Sequence, residues 1–150
     1  MREEESEEKK GFFEFIARDQ VRLSDGLEAL ATQVVDALVE VHRRLGPGHP
    51  ERVYENALCY EFDLRQITYS RQVPVRVMYK GKDVGDSIVD VLVADLIVLE
   101  LKAVEQLSPT HRAQLGSYLV ALNLQLGFLA NFNVALMKDG IKRVIRTVSK

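Results

Sequence analysis

A chain of 150 residues with 47% hydrophobic content fits one globular domain that buries roughly 70% of its unfolded surface in an ordinary core. The formal charge is −2, and the first ten residues, five glutamates against Arg2, Lys9 and Lys10, account for all of it; the near-neutral remainder excludes a strongly basic nucleic-acid footprint and leaves polyanion contacts to local patches or metal ions. The lone Cys59 excludes an intramolecular disulfide, the acidic start is unlike a signal peptide, and no run of about 18 apolar residues is present to span a bilayer, so a soluble cytoplasmic protein with no membrane contact is expected.

Residues 1–10 read as an acidic flexible tail, because like charges repel and nothing apolar is available to bury. Residues 11–26 read as an N-terminal packing arm carrying Phe12, Phe13, Phe15 and Ile16; the alternative, an oligomer contact, leaves room for a homodimer. Residues 27–150 then form a single domain. Ser24 and Asp25 are cap residues for a helix in which Leu30, Val34, Leu38, Val41 and Leu45 recur at steps of four and three, and Gly46-Pro47-Gly48 ends it.

Pro50 suits the first turn of a second helix, with Val53, Ala57, Leu58 and Phe62 as its apolar stripe and Glu51 and Glu55 one turn apart on one face. Near Gln66 the period changes. Val73, Val75, Val77 and Tyr79 alternate with Gln72, Pro74, Arg76 and Met78, the pattern of a half-buried strand that Pro74 confines to a sheet edge or a bulge. Lys80-Gly81-Lys82 is a turn, and two strand-like runs follow, Ile88–Val93 and Leu96–Leu99. Ser108-Pro109 opens a third helix with Ala113, Leu115, Leu119 and Leu122 as apolar positions; residues 127–133 and, after an Asp139-Gly140 turn, 141–147 are the last strands. The order helix, helix, three strands, helix, strand, strand predicts an α/β fold of the α+β sandwich kind, with a central mixed sheet flanked by helices.

Asp90 lies inside the first of the apolar runs, and Glu100-Leu101-Lys102 ends the second. Ionised groups among β-branched residues are costly unless they pair or bind a cation, so two carboxylates and a lysine converging there point to a divalent-metal phosphodiesterase site. Strand alternation puts Ile88, Asp90 and Leu92 on one face, and Val98, Glu100 and Lys102 on one face of the next strand. A two-residue loop at Ala94-Asp95 would pair Asp90 with Leu99 and turn Glu100 away, whereas a three-residue loop, Ala94-Asp95-Leu96, sets Asp90 opposite Glu100; the site requires the odd loop or a bulge. Given that register, Asp90, Glu100 and a carboxylate of the 50–66 helix would hold Mg²⁺, with Mn²⁺ as an alternative, to activate a water and stabilise the scissile phosphate. Lys102 would orient that water or neutralise developing charge. The plainer reading makes Glu100 and Lys102 an exposed pair at a strand end.

Other candidates carry less. Cys59, in a helical pattern, reads as a small buried hydrophobe. His42 and His49 bracket the glycine-rich turn without zinc-ligand spacing, and His111 reads as a helix-surface residue or one reaching the lysine side of the cleft. Arg43, Arg44, Arg71, Arg76, Lys80 and Lys82 form either a phosphate-contacting rim or solvated faces. No phosphate-binding glycine loop, dinucleotide fingerprint or Ser/His/Asp signature occurs.

The segment Gly48-His49-Pro50-Glu51-Arg52-Val53-Tyr54 matches a G-x-x-E-x-x-Y signature, and with Asp90, Glu100-Leu101-Lys102, Leu126-Gly127-Phe128, Asn131-Phe132-Asn133 and 138–142 it resembles a family of small bacterial and archaeal proteins, the GxxExxY family of the PD-(D/E)XK nuclease superfamily. The resemblance covers about residues 28–146. It implies a restriction-endonuclease-like core in αβββαβ order with an extra N-terminal helix. It also implies Asp90 and Glu100 as metal-binding acids and Lys102 as the catalytic lysine. Glu55 takes the place of the helix glutamate of resolvase-like members, and Glu51, the signature's own glutamate, shares the role; which of the two holds the metal stays open. Gln114 and Tyr118 resemble the Q-x-x-x-Y element of the RecB-type branch, set to touch the lysine or a substrate phosphate, with a Tyr118 that merely covers the core as the alternative. Val89 stands where the superfamily's name has proline. The function implied is a Mg²⁺-dependent nuclease acting on nucleic acid, DNA ahead of RNA; the alternative is a nuclease-fold protein that binds nucleic acid or a protein partner with little or no cleavage.

Overall fold

The computed structural model describes residues 22–147; the acidic tail and the aromatic part of the arm lie outside the described residues. Helix α1 (Asp25–Leu45) begins where Ser24 Oγ accepts the Leu27 N–H at 3.2 Å, so the last two residues assigned to the arm are helical. Leu27, Ala31, Val34, Leu38 and Val41 fall on one stripe and are buried. Gly46, at φ 68°, turns the chain out of the helix in a conformation that costs glycine nothing.

Helix α2 (Glu51–Leu64) starts one residue later than expected, with Pro50 as its N-cap at φ −63° and ψ 152°. Tyr54, Leu58 and Phe62 form its buried stripe. Five strands follow in two groups: β1 (Tyr69–Tyr79), β2 (Lys82–Val93) and β3 (Ile97–Lys102), then, after helix α3 (Pro109–Leu122), β4 (Leu126–Asn131), the four-residue helix α4 (Met137–Gly140) and β5 (Ile141–Ile145). The expected Asp139-Gly140 turn is thus the end of a short helix, and the last two strands are shorter than read, because Phe132, Asn133, Arg146 and Thr147 leave the ladder.

Spatial order in the sheet equals chain order, β1-β2-β3-β4-β5. The pairs β1/β2, β2/β3 and β4/β5 are antiparallel; β3/β4 is parallel, with α3 as its crossover. Pro74 lies in the edge strand β1, where its missing N–H costs no ladder bond on the open side. One apolar cluster joins α1 and α2 to one face through Val91, Val93, Ile97, Leu99, Leu101 and Phe128. A second joins α3 to the opposite face through Val75, Val89, Leu92, Val98 and Leu129. The result is an α+β sandwich, helices on both faces of a mixed sheet, consistent with a restriction-endonuclease-like fold.

The ladder breaks at Asp90. Arg71 pairs with Val91 and Val73 with Val89, but Gln72, between them at φ 50°, makes no pair with Asp90. Across this break Val89 packs on the α3 side and Val91 on the α1/α2 side. The simple alternation of Ile88, Asp90 and Leu92 on one face therefore fails here: a left-handed residue in one strand twists the ribbon and swaps its faces.

Candidate active site

Val91, Leu92 and Val93 pair with Leu99, Val98 and Ile97, so the β2–β3 connection is the three residues Ala94-Asp95-Leu96. That is the odd-length loop. Ala94 (φ 51°) and Asp95 (φ 55°) are both left-handed, Leu96 N–H returns to the Val93 carbonyl at 2.9 Å, and Ala94 N–H bonds the Thr68 carbonyl at 2.9 Å.

Extending the register sets Asp90 opposite Glu100, and there the strands part and side chains replace backbone partners. Glu100 Oε1 accepts the Asp90 N–H at 3.1 Å, and Asp90 Oδ2 accepts the Leu101 N–H at 2.8 Å. Each carboxylate holds the other residue's strand in place with one oxygen and keeps the second free. Glu100 is only 4% exposed and Asp90 half-buried. Burial, reinforced by the charge of Asp90, pushes the Glu100 carboxyl up to about 8; burial also raises Asp90, against the Leu101 N–H and Lys102. Lys102 is half-buried at the end of β3 and lowers both carboxyls without closing a salt bridge within 4 Å among the described residues.

Glu51 is exposed at the first residue of α2, close enough for its charge to raise both Asp90 and Glu100. Glu55, one turn on, is 9% exposed and already engaged: Oε2 accepts from Arg71 Nε at 3.0 Å and Nη2 at 2.7 Å, and Oε1 from Gln72 Nε2 at 2.6 Å. These residues with Asp90 and Arg52 line a cavity of about 440 Å³. Among the described residues no three His, Cys, Asp or Glu side chains are grouped as a metal cage. Two carboxylates nevertheless fit Mg²⁺, which is ordinarily held by one or two acids, with waters and substrate phosphates completing the octahedron. The donors are hard oxygens, and their mutual repulsion is what a dication relieves.

On the far side, Tyr118 is 5% exposed in the α3 cluster, and burial and then the Glu100 charge raise its hydroxyl; Ser87 and Gln114 oppose this with polar contacts. Gln114 itself is exposed. So Asp90, Glu100, Lys102 and Tyr118 come together at the open end of β3, with Gln114 at the rim and Glu51 facing them from α2.

Residues 28–144 match the family model of the PD-(D/E)XK nuclease superfamily. The chain belongs to that superfamily. No curated protein and no solved structure matches it. Members of the superfamily generally use divalent metal ions, and membership points to a metal-dependent nuclease with nucleic acid as substrate. No helix among the described residues is long and apolar enough to cross a membrane.

Within this nuclease-superfamily fold several sequence candidates have structural tasks. Tyr54 is fully buried, stacks on Phe132 at 4.2 Å, donates to the Gly46 carbonyl at 2.5 Å and accepts the His49 N–H at 3.2 Å, so the signature's tyrosine pins the turn that launches α2. His42 Nε2 donates to the Val134 carbonyl at 2.8 Å. His111, half-buried in the first turn of α3, belongs to a capping box with Ser108, its Nδ1 accepting the Ser108 N–H at 3.1 Å, so its ring is engaged at the helix start. Cys59 is buried, as expected of a small hydrophobe, and burial pushes its thiol up to about 11. Asn131 escaped sequence reasoning: its buried amide accepts the Val104 N–H at 3.0 Å and donates to the Val104 carbonyl at 2.9 Å, while Phe132 N–H bonds the Lys102 carbonyl at 2.9 Å. This bracket fixes the strand end that carries Lys102. Its only sequence trace is an Asn-Phe-Asn triplet closing an apolar run.

Proposed function

We propose that this chain is a divalent-metal-dependent nuclease of the GxxExxY type that hydrolyses phosphodiester bonds, in DNA ahead of RNA. The observation that carries the reading is the cross-strand bracing in which Glu100 accepts the Asp90 N–H and Asp90 accepts the Leu101 N–H, which preorganises a buried and a half-buried carboxylate at a sheet end beside a lysine. Asp90 and Glu100 are the metal-binding acids, with Glu51 or Glu55 from α2 adding to the outer shell, and Mg²⁺ is the expected ion, Mn²⁺ its substitute. When bound, the ion supplies Lewis-acid stabilisation of the phosphate and acidifies water.

The protein's own part is positional and electrostatic. Lys102, two residues from Glu100 on the same strand face, holds its ammonium toward the attacked phosphate and stabilises charge developing there. Tyr118 and Gln114 close the α3 side of the cleft, where the tyrosine hydroxyl is a donor to a phosphate oxygen. Arg52 at the mouth of the cavity meets the flanking backbone.

Purified protein incubated with a panel of single- and double-stranded DNA and RNA is expected to cleave in Mg²⁺ or Mn²⁺ and not in EDTA. Glu100→Ala and Lys102→Ala should each lose about 10²-fold or more in rate. Cleavage that persists undiminished in both variants assigns the activity elsewhere and removes this site. Metal-dependent binding of the same panel without cleavage supports the second reading, a nuclease-fold binding module.

A further inference from the structure

Glu55 lies beside Asp90 in the cavity wall, yet its carboxylate is turned to β1. Three hydrogen bonds converge on it: two from Arg71 to Oε2, at 3.0 and 2.7 Å, and one from Gln72 to Oε1 at 2.6 Å. Arg71 Nη2 also donates to Asn56 Oδ1 at 2.5 Å, so the guanidinium rests against α2 as a strap. A carboxylate whose charge is matched by a guanidinium, with most of its lone pairs taken, has little left to hold a dication. Arg71 is nevertheless accessible, its side chain 39% exposed against 11% for Glu55, and it lines the same cavity as Asp90. A phosphate entering that cavity meets the guanidinium before it meets Glu55.

Resting on the nuclease reading above, we propose that Arg71 is a coupling residue: it withholds Glu55 from the metal in the free protein and exchanges that carboxylate for a nucleic-acid phosphate when substrate enters. Phosphate and carboxylate are near-equivalent partners for an arginine fork, so the exchange replaces one charge-assisted pair by another. Released from Arg71, Glu55 turns its free carboxylate toward Asp90. The exchange is local, because Gln72 sits where the β1–β2 ladder is already interrupted and Arg71, whose backbone stays paired with Val91, has only to swing its side chain. Metal and nucleic acid then bind with positive cooperativity, reciprocally.

The test measures Mn²⁺ affinity from its paramagnetic resonance signal, with and without a phosphorothioate oligonucleotide that keeps the backbone charge and resists hydrolysis. For the wild-type protein the oligonucleotide should tighten Mn²⁺ binding by about tenfold, within the usual range of coupling. Arg71→Gln should bind Mn²⁺ more tightly than the wild-type protein in the absence of the oligonucleotide, and gain less on adding it, keeping only what direct phosphate ligation of the ion supplies. Glu55→Gln should bind at the weak wild-type level without the oligonucleotide and show the same reduced gain as Arg71→Gln on adding it. Arg71→Lys, which keeps the charge but not the two-nitrogen grip, should fall between, and guards against reading a folding defect as a coupling effect. If the wild-type protein binds both ligands without influence of one on the other, or if Arg71→Gln keeps the full coupling, the proposal is overturned while the nuclease reading stands. If the wild-type protein binds no oligonucleotide, the nuclease reading falls and takes the coupling with it.

Discussion

Glu100 is the residue whose chemistry departs furthest from its ordinary state. Its carboxyl is pushed from the usual 4.5 up to about 8 by burial and by Asp90. Between those two values the folded protein holds a proton that the unfolded chain has released, so raising the pH through this window costs stability. Below it both states are protonated and the effect vanishes. Asp90, raised for the same reason, adds in the same direction. In EDTA the melting temperature should fall from pH 5 to pH 8, and Glu100→Gln, which cannot ionise, should flatten that fall and melt higher than the wild-type protein at pH 8. Mg²⁺ at pH 8 should restore the wild-type protein and leave the glutamine variant unchanged, since only a carboxylate pair gains from the cation. A variant no more stable than the wild-type protein at pH 8 removes the electrostatic strain argued here. Charges set in apolar runs announced this pair in the sequence. The engagement of Glu55 did not announce itself, because Arg71 and Gln72 lie 16 and 17 positions away and meet it only through the fold.

At the scale of elements, the site depends on two junctions. The first is the Ala94-Asp95-Leu96 loop, whose odd length was the condition the sequence reading set for Asp90 to meet Glu100, and the structure has it. The sequence could not choose between the loops, since Leu96 reads equally as strand or turn until the left-handed pair at Ala94 and Asp95 is seen. The break at Gln72 was equally hidden, because a positive φ at a glutamine leaves no mark on hydrophobic periodicity. The second junction joins β4 to α4. A Cβ on Gly140 would stand 2.0 Å from the Asn131 carbonyl oxygen, a backbone atom of the strand that brackets Val104 and Lys102. Neither side can yield cheaply, so Gly140→Ala should cost about 3 kcal/mol, roughly 10 °C in melting temperature. Hydrogen exchange should show the loosening first at Val104 and Phe132, and unchanged protection there would separate this contact from the lysine strand.

At the scale of the molecule, fold class was legible because each element bore its own signal: caps at Ser24 and Ser108, a helical stripe in α1 and α2, and a sheet edge marked by Pro74. The distribution of charge sets how such a body meets a polyanion. Its arginines are largely spent on internal pairs, Arg43 and Arg44 on Glu40, Arg65 on Glu61, Arg71 on Glu55, Arg76 on Asp83 and Arg143 on Glu28. A near-neutral body with most of its described arginines already paired should release few counterions on binding DNA, so the slope of log affinity against log salt should be shallow, about −2 to −4, where a protein making 6–10 phosphate contacts shows about −5 to −9. On the proposed reading the attraction comes instead from a dication held by Asp90 and Glu100, and EDTA should abolish most binding at physiological salt. Fluorescence anisotropy of a labelled duplex, titrated in KCl with Ca²⁺ or EDTA, measures both quantities. A steep salt slope that survives EDTA would assign the affinity to a basic surface instead, and would make the metal a participant in cleavage alone.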